Sequence, residues 1–148
     1  MKFTALKNGT FLELLMEANK HKIHLSTNTK LYLAWKAFEA CMHMWCVNRV
    51  LHNDLKPDNI LLSDCLEFLV LCDFGHASKI YAILGWKVGT PQYRAPEINQ
   101  LRDDQFFNAS HAEVFAFGTL LFTIMFQKLP FEKMACDGDS LYELVKTG

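Results

Sequence analysis

The stretch VLHNDLKPDNILL, Val50 to Leu62, brings two acids, a lysine and an asparagine together directly before a strand-like apolar run. Asp54 is a candidate general base, and Lys56, two residues on, can neutralise charge near that carboxylate. Asn59 offers an amide oxygen, which is a hard ligand suited to Mg²⁺. Any one of these residues alone would more often lie in a solvated loop, so it is their joint spacing that predicts a site.

A second apolar run follows, and Asp73 comes directly after it with a carboxylate that could also bind a metal. Two oxygen ligands, a base and a cation suit phosphoryl transfer, because catalysis of that reaction is mostly positioning and charge stabilisation. The quoted loop and Asp73 together therefore predict a phosphoryl-transfer site.

Apolar spacing predicts helices on both sides of this site and a hairpin within it. The apolar runs 60–62 and 67–72, joined by Ser63 and Asp64, indicate two paired strands. The segment 73–98 has no clean period and contains several glycines and prolines, so we expect an ordered but irregular loop. The predicted helices are Phe11–His21, Ser26–Asn48, His111–Lys128 and a last one from Asp139 or Ser140.

These elements predict a mainly α fold with one small β-hairpin. The stretch 111–128 is apolar nearly all round, which is typical of a helix at the centre of a domain. In the helix predicted from Ser26, the side chains that recur on one face are expected to be core residues and not a ligand box. They are Leu33, Ala37, Ala40 and Met44.

Composition excludes some classes of partner and favours a cytoplasmic protein. The 148 residues suit one domain, and a net charge of −1, from 15 basic and 16 acidic residues, gives no case for nucleic acid or an anionic membrane. The five cysteines form no C-x-x-C pair, so we expect buried, reduced thiols. The apolar stretch Val114 to Phe126 is shorter than the roughly 18 to 20 residues of a membrane span, and the N-terminus does not resemble a signal peptide.

Four motifs resemble those of protein kinases. HNDLKPDN (52–59) resembles the catalytic loop H-R-D-L-K-x-x-N, and DFG (73–75) resembles the metal-binding triplet. GTPQYRAPE (89–97) is similar to the end of the activation segment, and AEVFAFG (112–118) to the start of the central buried helix. The motifs stand in the family order at fitting intervals and cover nearly the whole chain, so residues 1–148 are expected to form a single, partial kinase domain.

The resemblance implies a role for each candidate site residue. Asp54 would accept the proton of the substrate hydroxyl, and Lys56 would steady the γ-phosphate of ATP. Asn59 and Asp73 would bind the Mg²⁺ ions, and Leu61 would lie under the adenine ring.

The resemblance also extends to residues around the site. Lys56, together with the Gly-Thr-x-x-Tyr pattern at 89–93, is the version found in kinases that phosphorylate serine and threonine of protein substrates. His52 and Phe74 would stack on each other, and Thr90 would contact the catalytic loop as a structural residue. The segments LPFEK (129–133) and DSLYELVKTG (139–148) are similar to those of the calcium/calmodulin-dependent and AMP-activated branch of protein kinases.

Two positions depart from the family pattern. Asn53 stands where most kinases have an arginine that holds a phosphorylated activation loop, and a neutral amide cannot form that ion pair. Glu113 stands where the central helix usually has an aspartate that ties down the catalytic loop. Glutamate keeps the charge but is one methylene longer.

The sequence contains no G-x-G-x-x-G loop and no V-A-I-K lysine, the small-lobe parts that cover and clamp the ATP phosphates. The resemblance therefore implies the C-terminal lobe, with the small lobe and the last helices of the large lobe absent. Three interpretations remain open. The chain could be a truncated or degraded serine/threonine kinase that is inactive alone, or an active minimal kinase. It could also be a pseudokinase or docking module that binds the small lobe of another kinase in trans and inhibits or activates that kinase.

Overall fold

The fold is built mainly from helices, as the sequence predicts. The computed structural model describes residues 9–63 and 66–147. The helices are α1 (Phe11–Lys20), α2 (Thr27–Met42), α3 (Pro96–Asn99), α4 (Ala109–Phe126) and α5 (Ser140–Thr147). The short strands between them are β1 (Val50–Leu51), β2 (Ile60–Leu62), β3 (Leu69–Leu71), β4 (Ser78–Lys79), β5 (Ile83–Leu84) and β6 (Phe107–Asn108).

Capping residues start the first two helices. The hydroxyl of Thr10 accepts a hydrogen bond from the backbone N–H of Glu13, whose carboxylate accepts one from the N–H of Thr10. The hydroxyl of Ser26 caps α2 in the same way through the N–H of Thr29. Both starts agree with the predicted ones.

The end of α2 differs from the single long helix predicted for Ser26–Asn48. The α-helix ends at Met42, and a π-helical turn, His43–Val47, continues it. In this wider turn the Trp45 ring packs edge-on against Phe117 with a centroid distance of 5.4 Å. The apolar period alone does not distinguish such a turn from the α-helix that precedes it.

Helix α4 lies at the centre of the core. Leu120 and Ile124 of α4 pack with Leu33 and Ala37 of α2, and residues of α1 and β2 complete this cluster. The helix lies two residues earlier than predicted. It starts at Ala109 because the Asn108 side chain caps it, and it ends where Gln127 adopts a left-handed backbone conformation.

Helix α4 is long and apolar enough to cross a membrane, by length and composition alone. The apolar stretch Val114 to Phe126, which was judged too short from the sequence, is only part of this 18-residue helix. However, 44% of its 18 residues are buried within the protein, including the charged residue Glu113. A core helix of a domain meets the same criteria, and the packing of α4 is that of a core helix.

The predicted hairpin is present. Strands β2 and β3 pair antiparallel, with Ile60 opposite Leu71 and Leu62 opposite Leu69. The predicted connection at Ser63 and Asp64 lies partly outside the described residues.

The prediction of a single β-hairpin is too simple, because two further antiparallel pairs are present within the irregular segment and next to it. Leu51 of β1 pairs with Ser78 of β4, and Leu84 of β5 pairs with Phe107 of β6. Strands of two residues leave no readable alternation in a sequence. Through these pairs the segment 73–98 is hydrogen-bonded to the quoted stretch by β4, and to the residues directly before α4 by β5.

The predicted core face of α2 is largely confirmed, whereas the cysteines are less buried than expected. Leu33, Ala37 and Met44 are buried. Cys41 is also buried, and burial raises the pKa of its thiol, but Cys46 is exposed and two others are half-buried. The four described cysteines are free thiols, and Cys65 lies outside the described residues.

Candidate active site

The loop between β1 and β2 folds back on itself through Asn59. A short 3₁₀ turn, Pro57–Asn59, points the Asn59 amide nitrogen at Asp54, where it donates to the backbone oxygen at 2.9 Å and to the carboxylate at 3.1 Å. Both side chains are buried. Because the amide nitrogen makes both bonds, the amide oxygen is the atom of Asn59 that could bind a metal.

Thr90 and Lys56 complete the surroundings of the Asp54 carboxylate. The Thr90 hydroxyl donates to one oxygen of Asp54 at 2.8 Å, and the Lys56 ammonium group lies 3.2 Å from the other oxygen. Lys56 also donates to the Thr90 hydroxyl at 2.7 Å. Thr90 therefore contacts the catalytic loop, as the resemblance implies, although 36 residues separate it from Asp54.

These contacts determine the charge of Asp54. Burial on its own raises the pKa of the carboxyl group, but the hydrogen bonds from Thr90 and Lys56 and the positive charge of Lys56 outweigh it. The net effect lowers the pKa of Asp54 below its ordinary value. The carboxylate is therefore ionised at neutral pH and able to accept a hydrogen bond from a hydroxyl group.

Glu113 of α4 holds the loop from below. One of its carboxylate oxygens accepts a hydrogen bond from the backbone N–H of His52 at 2.7 Å, and the other accepts one from the N–H of Asn53 at 2.8 Å. The indole N–H of Trp45 donates to the same carboxylate at 3.2 Å. Burial raises the pKa of Glu113, and these three hydrogen bonds oppose that shift. The longer glutamate side chain thus makes the hydrogen bonds to the catalytic loop that are expected of an aspartate at this position.

His52 and Phe74 pack against each other, as the resemblance implies. Their ring centroids lie 4.8 Å apart, and the planes are tilted by 44°. One ring nitrogen of His52 lies 2.8 Å from the backbone oxygen of Cys72, so it carries the proton and donates it. The pair links the catalytic loop to the DFG triplet.

Leu61 lies in β2 and Asp73 lies just after its partner strand β3, and within the described residues neither side chain hydrogen-bonds to the Asp54 carboxylate. Asp73 has a left-handed backbone with φ of 60°, it is exposed, and its carboxylate accepts a hydrogen bond from the Gly75 N–H at 3.3 Å. The N–H of Cys72 donates to the backbone oxygen of Asn59 at 3.0 Å, so Asp73 directly follows the residue that is bonded to Asn59. Leu61 is half-buried in β2, opposite Val70.

The donor set fits a magnesium ion better than a transition metal. Residues 9–63 and 66–147 contain no cluster of three or more His, Cys, Asp or Glu side chains. A carboxylate and an amide oxygen on adjacent backbone segments, as at Asp73 and Asn59, suit the partial protein coordination that Mg²⁺ accepts when phosphate oxygens and water complete its shell.

The side-chain contacts of two neighbouring residues, Asn53 and Arg94, were not predicted from the sequence. The Asn53 side chain donates to the backbone oxygen of His76 and to the Ser78 hydroxyl, both at 2.8 Å. Arg94 donates through Nε to the backbone oxygens of Val88 and Gly89 at 2.8 and 2.7 Å. The sequence carries a signal only for Gly89 itself, as part of the GT motif.

Gly89 is required by the close approach of two backbones. Its φ is +78°, and a Cβ at this position would lie 2.5 Å from the backbone oxygen of Asn53. This approach brings the following residue, Thr90, within hydrogen-bonding distance of Asp54.

The geometry agrees with comparisons to known proteins. The family model described as "Protein kinase domain" matches residues 1–146. The chain belongs to the protein kinase family. The kinase therefore falls in the transferase class, as the four motifs predict.

Its curated relatives are serine/threonine kinases. The chain is 29% identical to serine/threonine-protein kinase chk-2 of Caenorhabditis elegans over 95% of the chain and 29% of that protein. It is 33% identical to the phosphorylase b kinase gamma catalytic chain, liver/testis isoform, of Mus musculus over 87% of the chain and 31% of that protein. It is 37% identical to CBL-interacting protein kinase 24 of Oryza sativa subsp. japonica over 67% of the chain and 21% of that protein. The chain thus spans a third or less of these relatives' length.

Proposed function

We propose that the chain is part of the C-terminal lobe of a protein kinase and transfers the γ-phosphoryl group of ATP to serine or threonine side chains of proteins. The observation that supports this most strongly is the arrangement around Asp54. An ionised, mostly buried carboxylate is held by Lys56 and Asn59 of its own loop and by Thr90, which comes from a segment more than 30 residues further along the chain.

In this proposal Asp54 orients the substrate hydroxyl and takes its proton as the oxygen attacks phosphorus. A carboxylate with a lowered pKa is a weak base, which suits phosphoryl transfer because positioning contributes more than proton abstraction. Lys56 lies beside the same carboxylate and can stabilise negative charge on the transferred phosphoryl group. Thr90 fixes the carboxylate orientation.

The chain's own residues would also hold the cofactor. Asn59 and Asp73 would bind Mg²⁺, and Leu61 would form the floor under the adenine of ATP. Bound magnesium neutralises the phosphate oxygens. The sequence contains no glycine-rich loop or V-A-I-K lysine, so this proposal assigns the phosphate clamp to a small lobe supplied in cis or in trans, and the 148-residue chain alone is expected to be inactive. We also propose a cytoplasmic location, with no nucleic acid or membrane partner.

A transfer assay tests the acceptor class. The purified chain is mixed with a separately expressed kinase small lobe, ATP and Mg²⁺, and three peptides that differ only in carrying serine, threonine or tyrosine. We expect phosphate on serine and threonine and not on tyrosine. Transfer to tyrosine alone, or no transfer with any small lobe, would contradict the proposal.

A second candidate function is a docking module that regulates another kinase, and an open groove favours it. The groove has a volume of about 620 Å³ and lies between α2 and β3. Met44, Val50, Leu71 and Phe74 supply apolar lining, and charged side chains of α2, such as Lys36, contribute to its walls. A small lobe bound in trans could cover this surface.

Docking needs none of the catalytic side chains. If the chain acts only by docking, Asp54→Asn should change the activity of a partner kinase as much as the wild type does. If the chain supplies catalysis, that variant should lose its effect.

A further inference from the structure

Asn53 connects three parts of the molecule at the position directly before Asp54. Its backbone N–H donates to Glu113, and its side-chain amide donates to the backbone oxygen of His76 and the hydroxyl of Ser78, both at 2.8 Å. Its φ is 61°, a left-handed conformation that asparagine tolerates better than most residues. The backbone geometry therefore aims the amide at the segment that follows Asp73.

The segment held by Asn53 is short and pinned on both sides. Before it, Phe74 packs on His52, and the N–H of Ala77 donates to the backbone oxygen of Phe74 at 3.0 Å. After it, Ser78 pairs with Leu51 in the two-residue ladder of β1 and β4. Two residue pairs make a weak sheet by themselves, and one further backbone bond, from the N–H of Ile80 to the oxygen of Arg49, extends it. The two side-chain bonds of Asn53 add to this attachment.

Asp73 depends on this segment for its orientation. Its carboxylate is exposed and accepts a hydrogen bond at 3.3 Å from the N–H of Gly75 in its own turn. The direction of the carboxylate therefore depends on the backbone on both sides of Asp73, with Cys72 bonded to Asn59 before it and the stretch to Ser78 after it. That stretch is fixed to the catalytic loop by Asn53.

We propose that Asn53 is a positioning residue that holds the Asp73 carboxylate in place through His76 and Ser78. The inference rests on the proposed function, because the metal-binding role of Asp73 belongs to that proposal. Both bonds are neutral amide hydrogen bonds, so the attachment needs no phosphate group and is not screened by salt. The Asn53 amide thus orders the segment from His76 to Ser78, the role that an ion pair between an arginine and a phosphate would otherwise have.

The sharpest variant is Asn53→Asp. Aspartate has nearly the same shape, also tolerates a left-handed backbone and keeps the N–H that Glu113 binds, but it replaces the donor with an acceptor that faces the His76 oxygen. Asn53→Gly removes the side chain without backbone strain. Asn108→Asp is the matched control, because the Asn108 side chain accepts a hydrogen bond from the N–H of Ser110 at 2.9 Å, and aspartate can accept the same bond.

The first measurement uses the chain alone. Hydrogen–deuterium exchange of the peptide 74–84 should be at least ten-fold faster in Asn53→Asp and Asn53→Gly than in the wild type and Asn108→Asp, with exchange in α4 unchanged. Equal rates in Asn53→Asp and Asn108→Asp would overturn the proposal. So would an equal acceleration in α4, since that would indicate general destabilisation.

The second measurement uses the chain with a small lobe added. We expect Asn53→Asp to need at least ten-fold more Mg²⁺ for half-maximal rate, with the peptide KM within three-fold of the wild type. An unchanged Mg²⁺ requirement would overturn the positioning role. Failure of the proposed function would look different: the wild type would then show no transfer that depends on Asp54, while exchange in the chain alone would still decide whether Asn53 holds the segment.

Discussion

At the scale of single residues, two contacts decide the shape of the catalytic loop. The buried carboxylate of Glu113 accepts hydrogen bonds from the backbone N–H groups of His52 and Asn53, so the loop is attached to the central helix. Gly89 lets the activation segment approach close enough for Thr90 to bond Asp54. Both contacts can be tested by conservative changes.

Glu113→Gln should destabilise the chain because an amide can accept at only one end. Its NH₂ group would face a backbone N–H, which leaves a buried donor without a partner at a cost of about 1–3 kcal/mol. The free energy of unfolding in urea measures the effect. The control Glu39→Gln, on an exposed pair with Lys36, should change it by about 0.5 kcal/mol or less. An equal effect of the two variants would contradict the assigned role.

The stability difference between the wild type and Glu113→Gln is also expected to depend on pH. Burial raises the pKa of Glu113 in the folded state, so the folded chain binds this proton more tightly than the unfolded chain does. The stability linked to this group is present below the ordinary glutamate pKa of about 4.3 and is lost as pH rises through the raised value. The stability difference between wild type and Glu113→Gln should therefore shrink as pH rises through that window. A difference that grows would mean that the pKa is lowered.

Gly89→Ala should displace Thr90 from Asp54. The new Cβ would combine a φ of +78° with a contact of 2.5 Å to a backbone oxygen, and the strained backbone alone costs about 1–3 kcal/mol. Gly118→Ala is the matched control, because a Cβ there would have no atom within 4 Å apart from its chain neighbours and the backbone of its own helix, and alanine within a helix should stabilise by about 0.5–1 kcal/mol. Thermal unfolding of the two variants should shift in opposite directions. A Gly89→Ala variant that unfolds at the wild-type temperature or above it would show that Gly89 has room for a side chain.

At the scale of elements, the sequence predicts most where a period or a capping signal is present. The starts of α1 and α2 follow from Thr10 and Ser26, and the hairpin of β2 and β3 follows from two apolar runs. The pairs β1–β4 and β5–β6 are too short to leave a pattern, and they hold the segment 73–98 in place. The partners of Asn53 were also out of reach, because they depend on the left-handed backbone at 53 and on the path of a segment more than 20 residues away.

The activation segment gives the prediction at this scale. Between His76 and Val88 the acceptor hydroxyls are Ser78 and Tyr81, and Asn53 cannot pair with a phosphate as arginine does. With a small lobe added, changing Ser78 to Ala and Tyr81 to Phe should leave the transfer rate within ten-fold of the wild type. Asn53 keeps its bond to His76 in that variant.

A larger fall, corresponding to about 1.4 kcal/mol or more of barrier, would show that phosphorylation of this segment is required. Lys79 or Lys87 would then be the candidate partners of the phosphate, although lysine lacks the two-pronged geometry of arginine. Mass spectrometry of the wild type decides whether either hydroxyl is modified during the assay.

At the scale of the whole molecule, the proposed function makes the chain one wall of a nucleotide site. Leu61 and the candidate metal ligands lie on this chain, and the phosphate clamp does not occur in its sequence. We therefore expect weak or undetectable binding of ATP–Mg²⁺ to the chain alone, and tighter binding once a small lobe is present. Calorimetry is the measurement, and a dissociation constant in the low micromolar range for the chain alone, about −8 kcal/mol, would favour an active minimal kinase instead.

The role of Asp54 is the central claim, and the transfer rate of Asp54→Asn tests it most directly. The variant is compared with the wild type and with Asp58→Asn, which changes an exposed acid of the same loop, in the presence of a small lobe, ATP and Mg²⁺. We expect Asp54→Asn to be slower by about 10²- to 10⁴-fold, the contribution typical of a positioned base, while Asp58→Asn stays close to the wild type. A rate for Asp54→Asn within three-fold of the wild type would show that this carboxylate is not the catalytic base.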